Sequence, residues 1–167
     1  MGNGTRTNSS APAQVAGLSQ IIAIGAGDYF NVAIQQGGTV YVWGANSAGQ
    51  LALGHNNVVS TPQAISSVSN AAAAVAGAEH LVILGNDASV MASGANFSGQ
   101  LGTGDNTAYN VLKSVLSNGV TQIAVGFDHT LALKTDGSLS VFGANNAGQL
   151  GNGSTQNASS PIPVSAP

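Results

Sequence analysis

The chain has 167 residues, of which 43% are hydrophobic and only 5% charged, with a net charge of −3 and no cysteine. That length and hydrophobic content suit one folded domain with a sizeable core and exclude a disordered segment. Three scattered bases (Arg6, Lys113 and Lys134) exclude a phosphate-tracking nucleic-acid surface and argue against an anionic membrane. Without cysteine there is no disulfide, no thiolate chemistry and no Cys-based zinc site.

No apolar run is long enough to span a membrane as a helix. The start, Met1-Gly2-Asn3-Gly4-Thr5, has neither the charged nor the apolar stretch of a signal peptide. A surface rich in Asn, Ser and Thr suits an extracellular bacterial protein, on composition alone.

In chain order, the first element is a short proline-marked segment, Pro12 to Val15. A strand at Ile21–Ile24 and the apolar run Val32-Ala33-Ile34 follow. Next come the turn Gln36-Gly37-Gly38 and a second run, Val40-Tyr41-Val42. Two apolar runs around a Gly-rich turn predict a β-hairpin. The same order returns with Ala72–Val75, Val82-Ile83-Leu84, Asn86-Asp87-Ala88 and Val90-Met91-Ala92. It returns again with Gln122–Val125, Leu131-Ala132-Leu133, Thr135-Asp136-Gly137 and Leu139-Ser140-Val141. The first hairpin strand is apolar at consecutive positions, which predicts burial on both faces. Pro62–Ile65 and Pro161–Val164 repeat the proline-marked segment, and proline confines such a strand to an edge.

The register is set by Gly44-Ala45-Asn46-x-x-Gly49-Gln50-Leu51. It recurs as Gly94-Ala95-Asn96-x-x-Gly99-Gln100-Leu101 and Gly143-Ala144-Asn145-x-x-Gly148-Gln149-Leu150, spaced 50 and then 49 residues apart. The repeats run approximately over 2–51, 52–101 and 102–150, and 151–167 begins another. An all-β fold follows: β-propeller blades of four antiparallel strands in one domain, 1–167.

Gly126-Phe127-Asp128-His129, Asp136-Gly137, Phe142-Gly143-Ala144-Asn145 and Gly148-Gln149-Leu150-Gly151 together resemble the RCC1 (regulator of chromosome condensation) repeat. The resemblance covers the whole chain. It departs at Phe30, where the family has His; at Ala52, where it has Gly; and at Ser93, where it prefers Trp. It implies a ring of usually seven blades that serves as a protein-binding platform. Gly44, Asn46, Gly49 and Gln50, with their counterparts Gly94, Asn96, Gly99, Gln100, Gly143, Asn145, Gly148 and Gln149, are then structural. So are His80 and His129. Tyr29, Phe30, Phe97 and Phe127 are the candidate protein contacts, because exposed aromatics anchor interfaces, with a core role the equal alternative for each.

Three blades cannot close a ring, and open blade faces demand a partner. Head and tail both encode the same outer strand, since Gly2–Val15 matches Gly151–Val164. The expectation is a homo-oligomer, a dimer first of all, that completes the ring, from a chain cut or engineered out of a longer array. Glu79-His80 and Asp128-His129 are the enzyme-like pairs. Strand neighbours point to opposite faces, and no triad motif completes them. His55, His80 and His129 lack metal-ligand spacing, and Gly104-Asp105-Asn106 lacks the remaining acids of a calcium loop. The reading is therefore a non-catalytic module for self-assembly or protein binding, with no cofactor and no metal. The alternative is a propeller hydrolase or lyase with a site in the central channel.

Overall fold

A computed structural model describes residues 1–164. Among the described residues, twelve strands form three separate four-stranded antiparallel sheets. The first blade holds β1 (Ile21–Ala26), β2 (Phe30–Gln35), β3 (Val40–Gly44) and β4 (Val59–Ala64). The second holds β5 (Ala71–Ala76), β6 (His80–Gly85), β7 (Val90–Gly94) and β8 (Tyr109–Leu116). The third holds β9 (Val120–Val125), β10 (His129–Lys134), β11 (Leu139–Gly143) and β12 (Ala158–Val164). Within each blade the strands lie side by side in chain order. The blades are out of phase with the sequence repeats, because the fourth strand of each comes from the window after the one that supplies the first three.

Each central hairpin has one register: Val32 pairs with Val42, Val82 with Ala92 and Leu131 with Val141. The turns match as well. Gly38 and Gly137 take positive φ values of 88° and 82°, and Ala88 is held at 63° at the same position. An L-residue with a Cβ is strained there.

The blades stack through their inner strands, β1 on β5 and β5 on β9. In the middle blade, β6 is buried along its whole length, as a strand covered on both faces must be. Val82, Leu84 and Val90 turn toward the third blade, whereas Leu81 and Ile83 join the cluster of the first. The counterpart of β6 in the first blade, β2, stays buried at Val32, Ala33 and Ile34, whereas the third blade and the innermost strand of the first lose cover on one face. β10 alternates between buried and half-buried, and β1 alternates between half-buried and exposed.

The head, residues 1–20, forms no ladder of its own, so the Pro12–Val15 strand expected from the sequence is not formed. A strand needs a hydrogen-bonded neighbour, and among the described residues the third strand of each blade is already paired on its outer edge by β4, β8 or β12. The head instead lies against the first blade, with Gly4 N–H donating to Ser60 C=O at 3.0 Å and Val15 and Leu18 packed on the core.

Two departures from the repeat pattern answer one another. Gly102 sits against the Phe142 ring, with φ of 71°. One blade earlier the equivalent positions are Ala52, also at positive φ (55°), and Ser93, both buried. The added Cβ at position 52 is matched by a smaller side chain at position 93.

Candidate protein-binding face

The β1–β2 and β3–β4 connections of every blade emerge on one side of the arc, joined by the Ala45 N–H bond to Tyr29 C=O and its counterparts in the other blades. The inner connections link up across the blades: Asp28 N–H donates to Ala78 C=O, and Ala78 N–H to Phe127 C=O. The long connections are each built on one asparagine. Oδ1 of Asn46, Asn96 and Asn145 accepts from the N–H of Leu51, Leu101 and Leu150, all at 2.9 Å. Their Nδ2 groups donate to the carbonyls of His55, Asp105 and Ser154. Each side chain thus ties both ends of its loop together from a buried position, as a buried amide must. The glutamines fasten the backbone of the same loops: Oε1 of Gln50, Gln100 and Gln149 accepts from the N–H of Ala48, Ser98 and Ala147. Leu51, Leu101 and Leu150 fill the core.

The residues expected at a protein contact divide. Tyr29 (81% exposed), Phe97 (79%) and Phe127 (67%) project from this side. Phe30 does not. It is 1% exposed, its ring lying over Gly27 and within the apolar cluster that also holds Leu81. His80 lies over Gly77 and His129 over Gly126 in the same way. This explains the Gly-x-x-ring pattern, since a Cβ on the glycine would occupy the place of the ring. Gly77→Ala is expected to lower stability by about 2 kcal/mol through overpacking, read as a fall in thermal midpoint of roughly 4–8 °C. No change in the midpoint would show that the ring is free to move aside.

His80 reaches the next blade rather than its own loop. Its Nε2 lies 3.2 Å from Thr130 Oγ1, and Thr130 donates its own hydroxyl to Gln100 C=O at 2.8 Å. The hydroxyl proton being committed, Nε2 must carry the proton and donate. Nδ1 is left buried without a partner. Burial, reinforced by His129, pushes the His80 pKa down to about 4. A ring held neutral in this way is a seam between blades.

Of the enzyme-like pairs, Asp128 accepts from Gln100 Nε2 at 2.9 Å while the His129 ring lies over Gly126. Burial raises the Asp128 pKa, and nearby Asp28 adds to the effect. Asp105 is the hub of its loop: Oδ1 accepts from Asn96, Thr103 and the Thr107 N–H, and Oδ2 from the Tyr109 hydroxyl. These donors, the Tyr109 hydroxyl foremost, hold its pKa below the usual carboxylate value. Among the described residues no three His, Asp or Glu side chains gather in a group able to hold a metal.

Asp28, Glu79, Asp105 and Asp128 all lie in the connections on the aromatic side, whereas Lys134 ends β10 at the other. Sequence reasoning missed this shared acidity. The signal was there, in that the four acids fall in the same two loops of the repeat. Between the first two blades, Glu79, Phe97, Asn56 and Tyr109 line an open groove of about 420 Å³.

Stacked four-stranded blades with their loops gathered on one side define a β-propeller repeat protein. Models of the regulator of chromosome condensation (RCC1) repeat match residues 37–84, 87–133 and 136–167, and a second RCC1 repeat model matches 21–50 and 120–149. The chain belongs to the RCC1 repeat family. Among solved structures it is similar to Prp20p from Saccharomyces cerevisiae, described together with its binding to Gsp1p and histones. The identity is 18% and the TM-score 0.79, over 92% of this chain and 40% of that one. Yeast RCC1 (Prp20) bound to Kap60 is similar at 18% identity and a TM-score of 0.77, over 90% of this chain and 38% of that one. Human WBSCR16 is similar at 19% identity and 0.55, over 88% and 53%. This chain therefore spans well under half the length of Prp20p. A comparison with curated protein sequences found no match.

Proposed function

We propose that this chain is a non-catalytic protein-binding module whose three blades self-associate, two chains closing one propeller ring. One contrast carries the reading. Ala74, on the first strand of the second blade, is 8% exposed because the first blade covers it, whereas its repeat equivalent Ile24 is 81% exposed. A large apolar side chain stands where an internal seam would place a buried one. Leaving it in water forfeits the stabilisation that burial of an isoleucine brings, about 2 kcal/mol. Binding of further partners is assigned to the side bearing Tyr29, Phe97 and Phe127. The partners named with Prp20p (Gsp1p, histones and Kap60) support a platform role in this family.

Light scattering across a dilution series tests the assembly. The chain is expected at twice its own mass, dissociating on dilution. Ile24→Glu is expected to raise the dissociation constant at least ~100-fold, since it would bury a charge without a partner. A chain that stays monomeric at every concentration would refute self-association.

A further inference from the structure

Resting on that self-association, we propose that the open face of β1, marked by Ile22 and Ile24, is the docking surface for the third blade of a second copy. Residues 2–15 of the head are the segment that this partner displaces.

The head occupies the place of the outer segment of a preceding blade. Gly54 N–H donates to Asn110 C=O across the first seam, and Gly104 N–H to Ser159 C=O across the second, both at 2.8 Å. Gly4 N–H donates to Ser60 C=O, the same bond at the same repeat position. Gly102 is wedged between Phe142 and Val115, and Gly2 likewise between Trp43 and Val15. The head thus covers Trp43, which is 7% exposed, but brings no inner strands with it. Ile22 and Ile24 stay open beneath it.

The opposite end of the arc presents the complementary face. Val32 and Ile34 are buried at the first seam and Val82 and Leu84 at the second. Their equivalents Leu131 and Leu133 are only half-buried. Gln50 and Gln100 are each 1% exposed, whereas Gln149 is exposed. A Cβ at Gly49 would meet Asn110 of the next blade and one at Gly99 would meet Ser159, whereas Gly148 has nothing within 4 Å. The third blade therefore lacks what the first blade offers, and the two internal seams are the template for the third. That continuity selects a second copy of this chain as the occupant.

Both cannot be satisfied while the head stays in place. The arriving third blade carries its own outer segment. β12 is paired to β11, and Asn145 holds Asn152, Ser154 and Gln156. In the seam, its Gly153 N–H claims Ser60 C=O and its Gly151 claims the place against Trp43, which Gly4 and Gly2 now hold. The partner's segment is tethered within its own blade, whereas the head is held by few bonds. The head leaves.

The test locks the head in place. The chain has no cysteine of its own, and a Cβ at Gly4 lies 3.8 Å from Thr61 Cγ2, so Gly4→Cys with Thr61→Cys places a disulfide within reach. By light scattering, the oxidised variant is expected to be monomeric and the reduced one to dimerise, with apparent dissociation constants at least ~100-fold apart. Equal association in both states overturns displacement and leaves self-association standing. In the full chain, Gly4→Pro removes the N–H donor at a φ of +83° that proline cannot adopt, and is expected to tighten the dimer. Unchanged or weaker association overturns the proposal. Absence of a dimer in wild type and in Gly4→Pro alike overturns the self-association reading itself.

Discussion

Asn96→Ala is expected to lower the stability of the fold by about 3 kcal/mol, the largest loss from any single loop side chain. Asn96 is fully buried. Its Oδ1 accepts from Leu101 N–H, and its Nδ2 donates to Asp105 C=O, Asp105 Oδ1 and Thr103 Oγ1. Truncation leaves the Leu101 N–H buried without an acceptor and frees the end of the loop at Asp105. An orphaned buried polar group costs about 1–3 kcal/mol, and the lost donor adds to that. Asn96→Asp is no rescue, because it keeps the acceptor for Leu101 but sets a second carboxylate beside Asp105. Urea unfolding, with the midpoint shifted at unchanged slope, reads the effect. A loss below about 1 kcal/mol would mean that water replaces the amide, and that the repeated asparagine is not the loop's fastener.

Acid is expected to weaken the protein well before its carboxylates titrate. His80 ionises near 6.5 when unfolded and near 4 when folded, because the buried ring lacks an acceptor for a second proton. The unfolded chain therefore binds the extra proton first. The contribution is fully present above pH 6.5 and is lost as the pH falls toward 4, about 3 kcal/mol in all between pH 7 and pH 4. Asp128, raised by burial, works in the opposite sense. Asp87, Asp105 and Asp136, held low chiefly by their hydroxyl donors, lose their contributions only at more acidic pH. The first seam supplies the control, since Phe30 and Leu81 occupy the positions of His80 and Thr130 there. His80→Phe with Thr130→Leu is expected to flatten the stability profile between pH 6.5 and 4. A double variant as acid-sensitive as the wild type would place the titrating group elsewhere.

The fold was legible because a propeller repeats its local rules. Hairpin turns at Gly38 and Gly137, double-apolar second strands and a Gly-Ala-Asn-x-x-Gly-Gln-Leu loop are each local in sequence, and recurrence three times removes ambiguity about register. The roles of Asn46, Asn96 and Asn145 follow from the same recurrence. For Phe30 the sequence left a core place and a protein contact equally open, and only the fold of the third residue after Gly27 back over that glycine decides for the core. The contact of His80 with Thr130 joins residues 50 apart in different sheets, so no local pattern announces it. The acidity of the loop side was present in the repeat positions of Asp28, Glu79, Asp105 and Asp128, but it becomes one surface only when their loops are gathered on one edge.

Three repeats, the four-strand content of a blade and the residues that recur in each loop could all be read along the chain, because they rest on hydrogen bonds and alternation within some fifty residues. Which faces are covered depends on how the blades stack. One repeat position is buried at Ala74 and bare at Ile24, and one glutamine is buried at Gln100 and exposed at Gln149. Burial is a property of what lies against a residue, and in a stacked array that neighbour is another blade. The head obeys the same physics: identical in pattern to β12, it forms no strand, since a strand exists only where a neighbour accepts its hydrogen bonds.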